Sequence, residues 1–164
     1  MIFPLRELII IAALAVAAAA QAQQATIAFG GLKQDTSLPV EVQADQLAVN
    51  NADGTAVFTG NVLVGQGEMR MAAGAVRVEY AADGKSIQRL FASGGVTISN
   101  LADAAEAQEA VYTIDSGNVV MTGDVLLTQG DSALSGQKLS IDLKTGTGTM
   151  EGRVSTTFIP ASNP

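Results

Sequence analysis

The 164-residue chain reads as an all-β protein made of antiparallel hairpins that follow one another in line. An internal repeat, a period-2 alternation inside each copy and a turn dipeptide at a fixed place in each copy all point that way. The repeat is plainest in Phe58-Thr59-Gly60-Asn61-Val62-Leu63-Val64-Gly65-Gln66-Gly67-Glu68. It returns 63 residues later, without a gap, as Met121-Thr122-Gly123-Asp124-Val125-Leu126-Leu127-Thr128-Gln129-Gly130-Asp131. Shorter copies centre on Gly94-Gly95-Val96 and Gly152-Arg153-Val154, so Gly60, Gly94, Gly123 and Gly152 are spaced 34, 29 and 29. A partner element keeps step as Leu47-Ala48-Val49, Val76-Arg77-Val78, Ala110-Val111-Tyr112 and Leu139-Ser140-Ile141. A fixed period of this length marks one supersecondary unit stacked several times.

Within each unit the pattern is that of a strand with one buried face. Ala56, Phe58, Gly60, Val62, Val64 and Gln66 alternate with polar or small neighbours, and Val119, Met121, Gly123, Val125 and Leu127 do the same. Between partner element and glycine strand stand Asp53-Gly54, Asp83-Gly84, Ser116-Gly117 and Thr145-Gly146, pairs that supply the positive φ of a tight hairpin. The second copy is longer by five residues, placed around 81–89. A glycine repeated in mid-strand reads as a bulge or bend where a sheet curls. Many short strands at even spacing predict a sandwich, a barrel or a jelly roll.

Taken in order, residues 1–22 have the form of a secretory signal peptide. Arg6 sits in a short leading region, residues 8–20 are an unbroken apolar run, and Ala20-Gln21-Ala22 fits the small-residue cleavage rule. Thirteen apolar residues are short for a bilayer span; the alternative is an uncleaved anchor. The expected location is the periplasm. Residues 23–38 read as a flexible segment, with an edge strand at Thr26-Ile27-Ala28-Phe29 as the other option. Residues 39–159 form the β domain, beginning at Pro39 and ending with a strand at Ser155, Thr156, Thr157 and Phe158. Residues 100–106, rich in Ala and Asp, read as a loop between the two halves, and residues 160–164 as a frayed tail.

Catalysis finds little to work with. The chain has no His and no Cys, which removes the commonest general base, thiol nucleophiles and most zinc sites. No cofactor motif is present, and the acidic residues Asp53, Asp83, Asp115, Asp131 and Asp142 fall in turns or at outward phases. Nine basic residues against sixteen acidic give a net charge of −7, the wrong sign for nucleic acid. The sequence therefore predicts a non-enzyme without cofactor or metal.

The chain does offer a regular apolar interior. Its inward phase holds Phe58, Val62, Val64, Met69, Met71, Val76, Val78, Tyr80, Val96, Tyr112, Met121, Val125, Leu127, Leu139, Ile141 and Met150, joined by Leu90, Ile98, Ile114, Leu134, Leu143 and Val154. Plain core packing accounts for such a face. An open groove for acyl chains accounts for it as well, since flexible methionines suit a variable lipid.

The ordered set Ala44-Asp45-Gln46-Leu47, Gly54-Thr55-Ala56-Val57-Phe58-Thr59-Gly60-Asn61-Val62, Gln66-Gly67-Glu68-Met69-Arg70-Met71, Val120-Met121-Thr122-Gly123-Asp124-Val125 and Leu134-Ser135-Gly136-Gln137-Lys138-Leu139 resembles the LptA/OstA family of periplasmic lipopolysaccharide-transport proteins. The likeness covers about residues 40–154. Gln46 and Glu109 stand where that family often has a basic residue, so it assigns no head-group contact. It implies a twisted, slightly open antiparallel β-jelly roll whose interior holds the acyl chains of lipopolysaccharide. It also implies open edges at Val40, Glu41 and Val42 and at Ser155, Thr156, Thr157 and Phe158. These edges would pair with an LptC-like inner-membrane-anchored subunit, an LptD-like outer-membrane protein, or further copies head to tail. The competing expectations are an LptC-like subunit anchored by residues 8–20, and a structural β-solenoid with a solid core and no ligand.

Overall fold

The computed structural model describes residues 25–28, as backbone, and 32–159; the expected signal peptide and C-terminal tail lie outside them. Thirteen antiparallel strands and no helix longer than a single 3₁₀ position make up the described residues. They are β1 (Ala25–Ala28), β2 (Glu41–Gln43), β3 (Gln46–Asn50), β4 (Thr55–Gln66), β5 (Met69–Tyr80), β6 (Ile87–Ser93), β7 (Val96–Asn100), β8 (Asp103–Ala107), β9 (Glu109–Thr113), β10 (Asn118–Gln129), β11 (Ser132–Asp142), β12 (Thr147–Glu151) and β13 (Ser155–Thr157).

The pairings fall into two layers. In layer I the order is β3, β4, β5, β6, β9, β10, β11, β12 and β1. In layer II it is β2, β4, β5, β7, β8, β10, β11 and β13. The long strands β4, β5, β10 and β11 belong to both layers, one half to each. Elsewhere two short strands do the work of one long one, as β6 and β7, or β8 and β9. The end strands of neither layer pair with each other, so the fold is a jelly roll open at both ends.

The repeated glycine is the corner between the layers. The ladder of β4 with β5 shifts register between Thr59 and Val62, and that of β10 with β11 between Thr122 and Val125. Gly60 and Asn61 both have positive φ (84° and 46°), and Gly123 and Asp124 repeat the pair (87° and 48°). Glycine enters that region freely and Asn or Asp tolerates it, which explains the T-G-[ND] frame. A Cβ on Gly60 would lie 2.6 Å from the Asp45 carboxylate, and one on Gly123 would lie 2.9 Å from Gln108 Cβ. The close approach is to the protein's own next strand, as a bend requires. The corner also divides the stretch 40–49 into β2 and β3: the Asp45 amide donates to the Gly60 carbonyl, and Asn61 Nδ2 donates to the Asp45 carboxylate.

Hairpin turns follow at the expected dipeptides. Asp53, Asp83 and Asp142 each cap their turn by accepting backbone N–H groups, from Thr55, from Lys85 and Ser86, and from Lys144 and Thr145. The Ser86 and Lys85 amides hold the Asp83 carboxyl below its ordinary range. The expectation of a loop at 100–106 needs correction, because Asp103–Ala107 is β8, central in layer II between β7 and β10. Alanine is a poor strand former, which hid this strand. Ala105 is fully buried there, and a small side chain is what that position faces the core with.

The N-terminal segment does not hang loose over 32–38. The backbone of β1 extends layer I beyond β12, and β2 starts layer II at the opposite end. Residues 32–40 run across the molecule to β2. Leu32 is buried in the core, the Gln34 amide donates to the Leu143 carbonyl at 2.8 Å, and Gln34 Nε2 donates to the Gln66 carbonyl. This strap runs beside the turns of both layers, against Gly117 in layer I and Gly67 in layer II.

Candidate functional site

The inward faces of the two layers form one apolar interior. Registers align its ranks across strands. In layer I one rank is Val49, Ala56, Val78, Leu90, Tyr112, Val119 and Ile141; the next is Leu47, Phe58, Val76, Ala92, Ala110, Met121, Leu139 and Met150. In layer II one rank is Val42, Val64, Met71, Ile98, Ala105, Leu127, Leu134 and Thr156. Of the sixteen side chains expected on this face, Phe58 and Tyr80 are half-buried and the other fourteen are buried. Arg77 and Ser140, which alternate with these residues along β5 and β11, are more exposed than the residues flanking them.

The interior is closed in this structure. Val64, Met71, Val76, Tyr112, Met121 and Ile141 pack against one another with at most 1 % of their surface accessible. A cavity of about 440 Å³ lies instead beside the outer faces of β2 and β4, lined by Glu41, Gln43, Leu63 and Arg70 among others. Another of about 300 Å³ lies on the outside of layer I, where the Arg77 guanidinium stacks 4.1 Å from the Phe91 ring. The first adjoins Glu41 and Arg70 but also Val64, and the second adjoins Arg77 and Glu109 but also Ala92 and Ala110 of the inward ranks.

Three polar side chains, Gln66, Asn100 and Asp103, are buried among the described residues, and the sequence pattern assigns none of them to the site. Gln66 ends β4 with only 1 % of its surface exposed. Its Oε1 accepts from the Tyr112 hydroxyl at 2.6 Å, which ties layer I to layer II through the interior. Its Nε2 donates to the carbonyls of Thr36 and Leu38, at 3.0 and 2.9 Å, which holds the strap. Burial pushes the Tyr112 hydroxyl up to about 12, so it stays a donor across the physiological range. The signal was present in the sequence: a glutamine interrupts the apolar phase at position 66 and again at its repeat, 129.

The expected partner edges are at the ends of layer II. Val40 and Val42 pack half-buried against the core, while Glu41 is exposed and β2 pairs on one side with β4. Ser155, Thr156 and Thr157 are exposed and pair with β11 alone among the described residues; Phe158 follows, largely exposed. Layer I ends in β3, whose Leu47 and Val49 carry the apolar ranks out to the surface. At its other end β1 covers the edge of β12. None of the described helical positions makes a helix long and apolar enough to cross a membrane.

A family model described as LptA/(LptD N-terminal domain) LPS transport protein matches residues 41–147, from β2 to the start of β12. The chain belongs to this family. It is 30 % identical over 158 residues to an uncharacterized protein of Rhizobium meliloti, covering 90 % of this chain and 85 % of that one. It is 28 % identical over 116 residues to the lipopolysaccharide export system protein LptA of Escherichia coli K12, covering 67 % of this chain and 63 % of LptA. In three dimensions it superposes on LptH of Pseudomonas aeruginosa, an LptA-homologous periplasmic component of the lipopolysaccharide transport device. That match has a TM-score of 0.69 at 19 % identity and covers 77 % of this chain and 99 % of LptH. The fold is thus the LptA-type jelly roll, and the family is one of transport proteins rather than enzymes.

Proposed function

We propose that this protein is a periplasmic lipopolysaccharide carrier that holds acyl chains between its two layers and passes them from the inner toward the outer membrane as one segment of a bridge. The observation that carries the reading is the continuity of the inward ranks. They run unbroken from Leu47 and Phe58 to Leu139 and Met150 in a roll that closes at neither end. A slot lined in this way needs no catalytic group, since each buried CH₂ of an acyl chain contributes about 0.8 kcal/mol. The free edges of β2 and β13 are the docking points for an LptC-like subunit, an LptD-like protein or a second copy. Strand addition would then bring successive interiors into line.

A photo-crosslinking residue at Phe58, Val76, Tyr80, Met121 or Ile141 should trap lipopolysaccharide, and the same residue at Arg77 or Ser140 should not. Equal labelling of both sets would sink the groove. The dry interior also suits a second reading, a structural β protein with no ligand, and absence of labelling at every inward position would favour it. N-terminal sequencing of the exported protein separates a released carrier, starting near Gln23, from an LptC-like form anchored by residues 8–20.

A further inference from the structure

On the side where the long strands turn, the gap between the layers is crossed by residues 32–38, which belong to neither layer. Toward layer I the Gln34 amide donates to the Leu143 carbonyl at 2.8 Å, and Thr36 lies against the turn at Gly117. Toward layer II Gln34 Nε2 donates to the Gln66 carbonyl, and Gln66 Nε2 donates to the carbonyls of Thr36 and Leu38. Three of these four bonds involve Gln66. The strap also holds its own shape: the Ser37 amide donates to the Asp35 carboxylate at 3.0 Å, and the Leu38 amide donates to the Asp35 carbonyl. Its deep anchor is Leu32, which lies in no strand and yet is 1 % exposed among the residues of the apolar interior.

A side chain from outside both sheets that fills the interior takes room an incoming acyl chain needs. From this we infer that residues 32–38 are a lid: with Leu32 as plug and Gln66 as latch they close the turn side of the empty slot, and they swing out before a lipid is loaded. The inference rests on the carrier reading above and names what regulates entry to that slot. The balance of contacts suits a lid. The long strands are held by ladders of backbone bonds on both sides, whereas the strap has a few single bonds and one buried side chain, the profile of a segment that opens without global unfolding. The pivot is the join at Pro39 and Val40, because β2 beyond it stays paired with β4 from Glu41 onward. The cavity of about 440 Å³ lined by Leu38, Pro39 and Gly67 lies beside that pivot and leaves it room to move. Released carbonyls of the strap exchange protein partners for water at small net cost, and the place of Leu32 is refilled by methylenes of the same apolar character.

The chain has no Cys, so one engineered pair gives a clean lock. A Cβ on Gly117 would lie 3.1 Å from Thr36 Cγ2. The Cβ-to-Sγ separation across a disulfide is about 3 Å, so Thr36→Cys with Gly117→Cys fits a bridge from strap to layer I. Pro39 and Val40 already join the strap to layer II, and the bridge then keeps the layers from parting. Gly117 has a φ of 71°, and the strain of a cysteine there is present in both redox states alike. Uptake of fluorescent lipid A is followed for wild type and for the pair, oxidised and reduced. The oxidised pair should lose uptake and regain it on reduction, while wild type ignores the reductant. Amide exchange of wild type over residues 32–40 should be slower in the empty protein than with lipid A bound. Uptake by the oxidised pair as fast as by the reduced one would overturn the lid while leaving the carrier intact. Equal exchange in empty and loaded wild type would do the same, and it decides the matter even where the bridge fails to form. Failure of wild type to take up lipid A would overturn the carrier, and the lid with it.

Discussion

Replacing Gln66 by Leu should loosen both the strap and the tie between the layers. The side chain makes three hydrogen bonds: it accepts from Tyr112 and donates to the carbonyls of Thr36 and Leu38. At a net value of about 1 kcal/mol each, their loss costs about 3 kcal/mol, and the buried Tyr112 hydroxyl left unpaired adds about 1 kcal/mol. Leucine returns part of this through apolar burial, so a net loss of about 3 kcal/mol is expected. Tyr112→Phe removes one bond and leaves Gln66 Oε1 unpaired, for a loss of about 1–2 kcal/mol. The double variant leaves neither polar group stranded. It should therefore be less destabilised than the sum of the two singles, by about 1 kcal/mol. Urea denaturation of all four proteins gives the cycle, and amide exchange over residues 32–40 should rise in Gln66→Leu but stay nearly unchanged in Tyr112→Phe. If the two changes add without coupling, or if exchange in the strap is the same in all four, the interior hydrogen bond does not hold the layers together.

Two other outcomes follow from the same geometry. Because the folded Tyr112 hydroxyl titrates near 12 against an unfolded value near 10, its contribution to stability should be complete below pH 10 and lost as pH rises from 10 to 12; Tyr112→Phe should flatten that part of the denaturation profile. Adjacent residues of an edge strand point their N–H groups to opposite sides, so of Thr156→Pro and Thr157→Pro one should break the ladder to β11 and lower stability, while the other should leave the melting curve near wild type and abolish association with partner or copy, as read by sedimentation.

The layered architecture was legible because burial follows the period-2 phase through both halves. Val76 and Val78, or Leu139 and Ile141, are inward for the same reason that Arg77 and Ser140 are not. The repeated glycine was legible as a bend, although nothing in one strand says which two layers meet there; that depends on Asp45 and Gln108 arriving from other strands. Two features stayed hidden. Strand β8 carries Ala, Asp and Glu in place of branched or aromatic residues, and only its place between β7 and β10 makes it a strand. The strap has no periodic signal, since its order comes from single long-range contacts such as Gln34 with Leu143 and with Gln66. Asn100 ends β7 in the inward phase of Val96 and Ile98, although the Ala- and Asp-rich stretch it opens looks like a loop in sequence.

A closed interior is compatible with a carrier once the competing terms are compared. Parting the layers exposes apolar side chains from both faces, at about 25 cal/mol for each Å² wetted. An acyl chain entering the gap covers much of that surface again and buries its own methylenes, so the exchange of side-chain contacts for lipid contacts is nearly balanced in area. What has no lipid replacement is the polar tie of Tyr112 to Gln66 and of Gln66 to the strap. The corners bend at Gly60 and Gly123, both with positive φ, where Asp45 and Gln108 pack close and hydrogen-bond. At the turn side the layers are held by a few hydrogen bonds of modest net value. Lipid affinity in this arrangement should depend more on those few bonds than on the size of the apolar face. Gln66→Leu, though less stable, should accordingly load lipid faster than wild type.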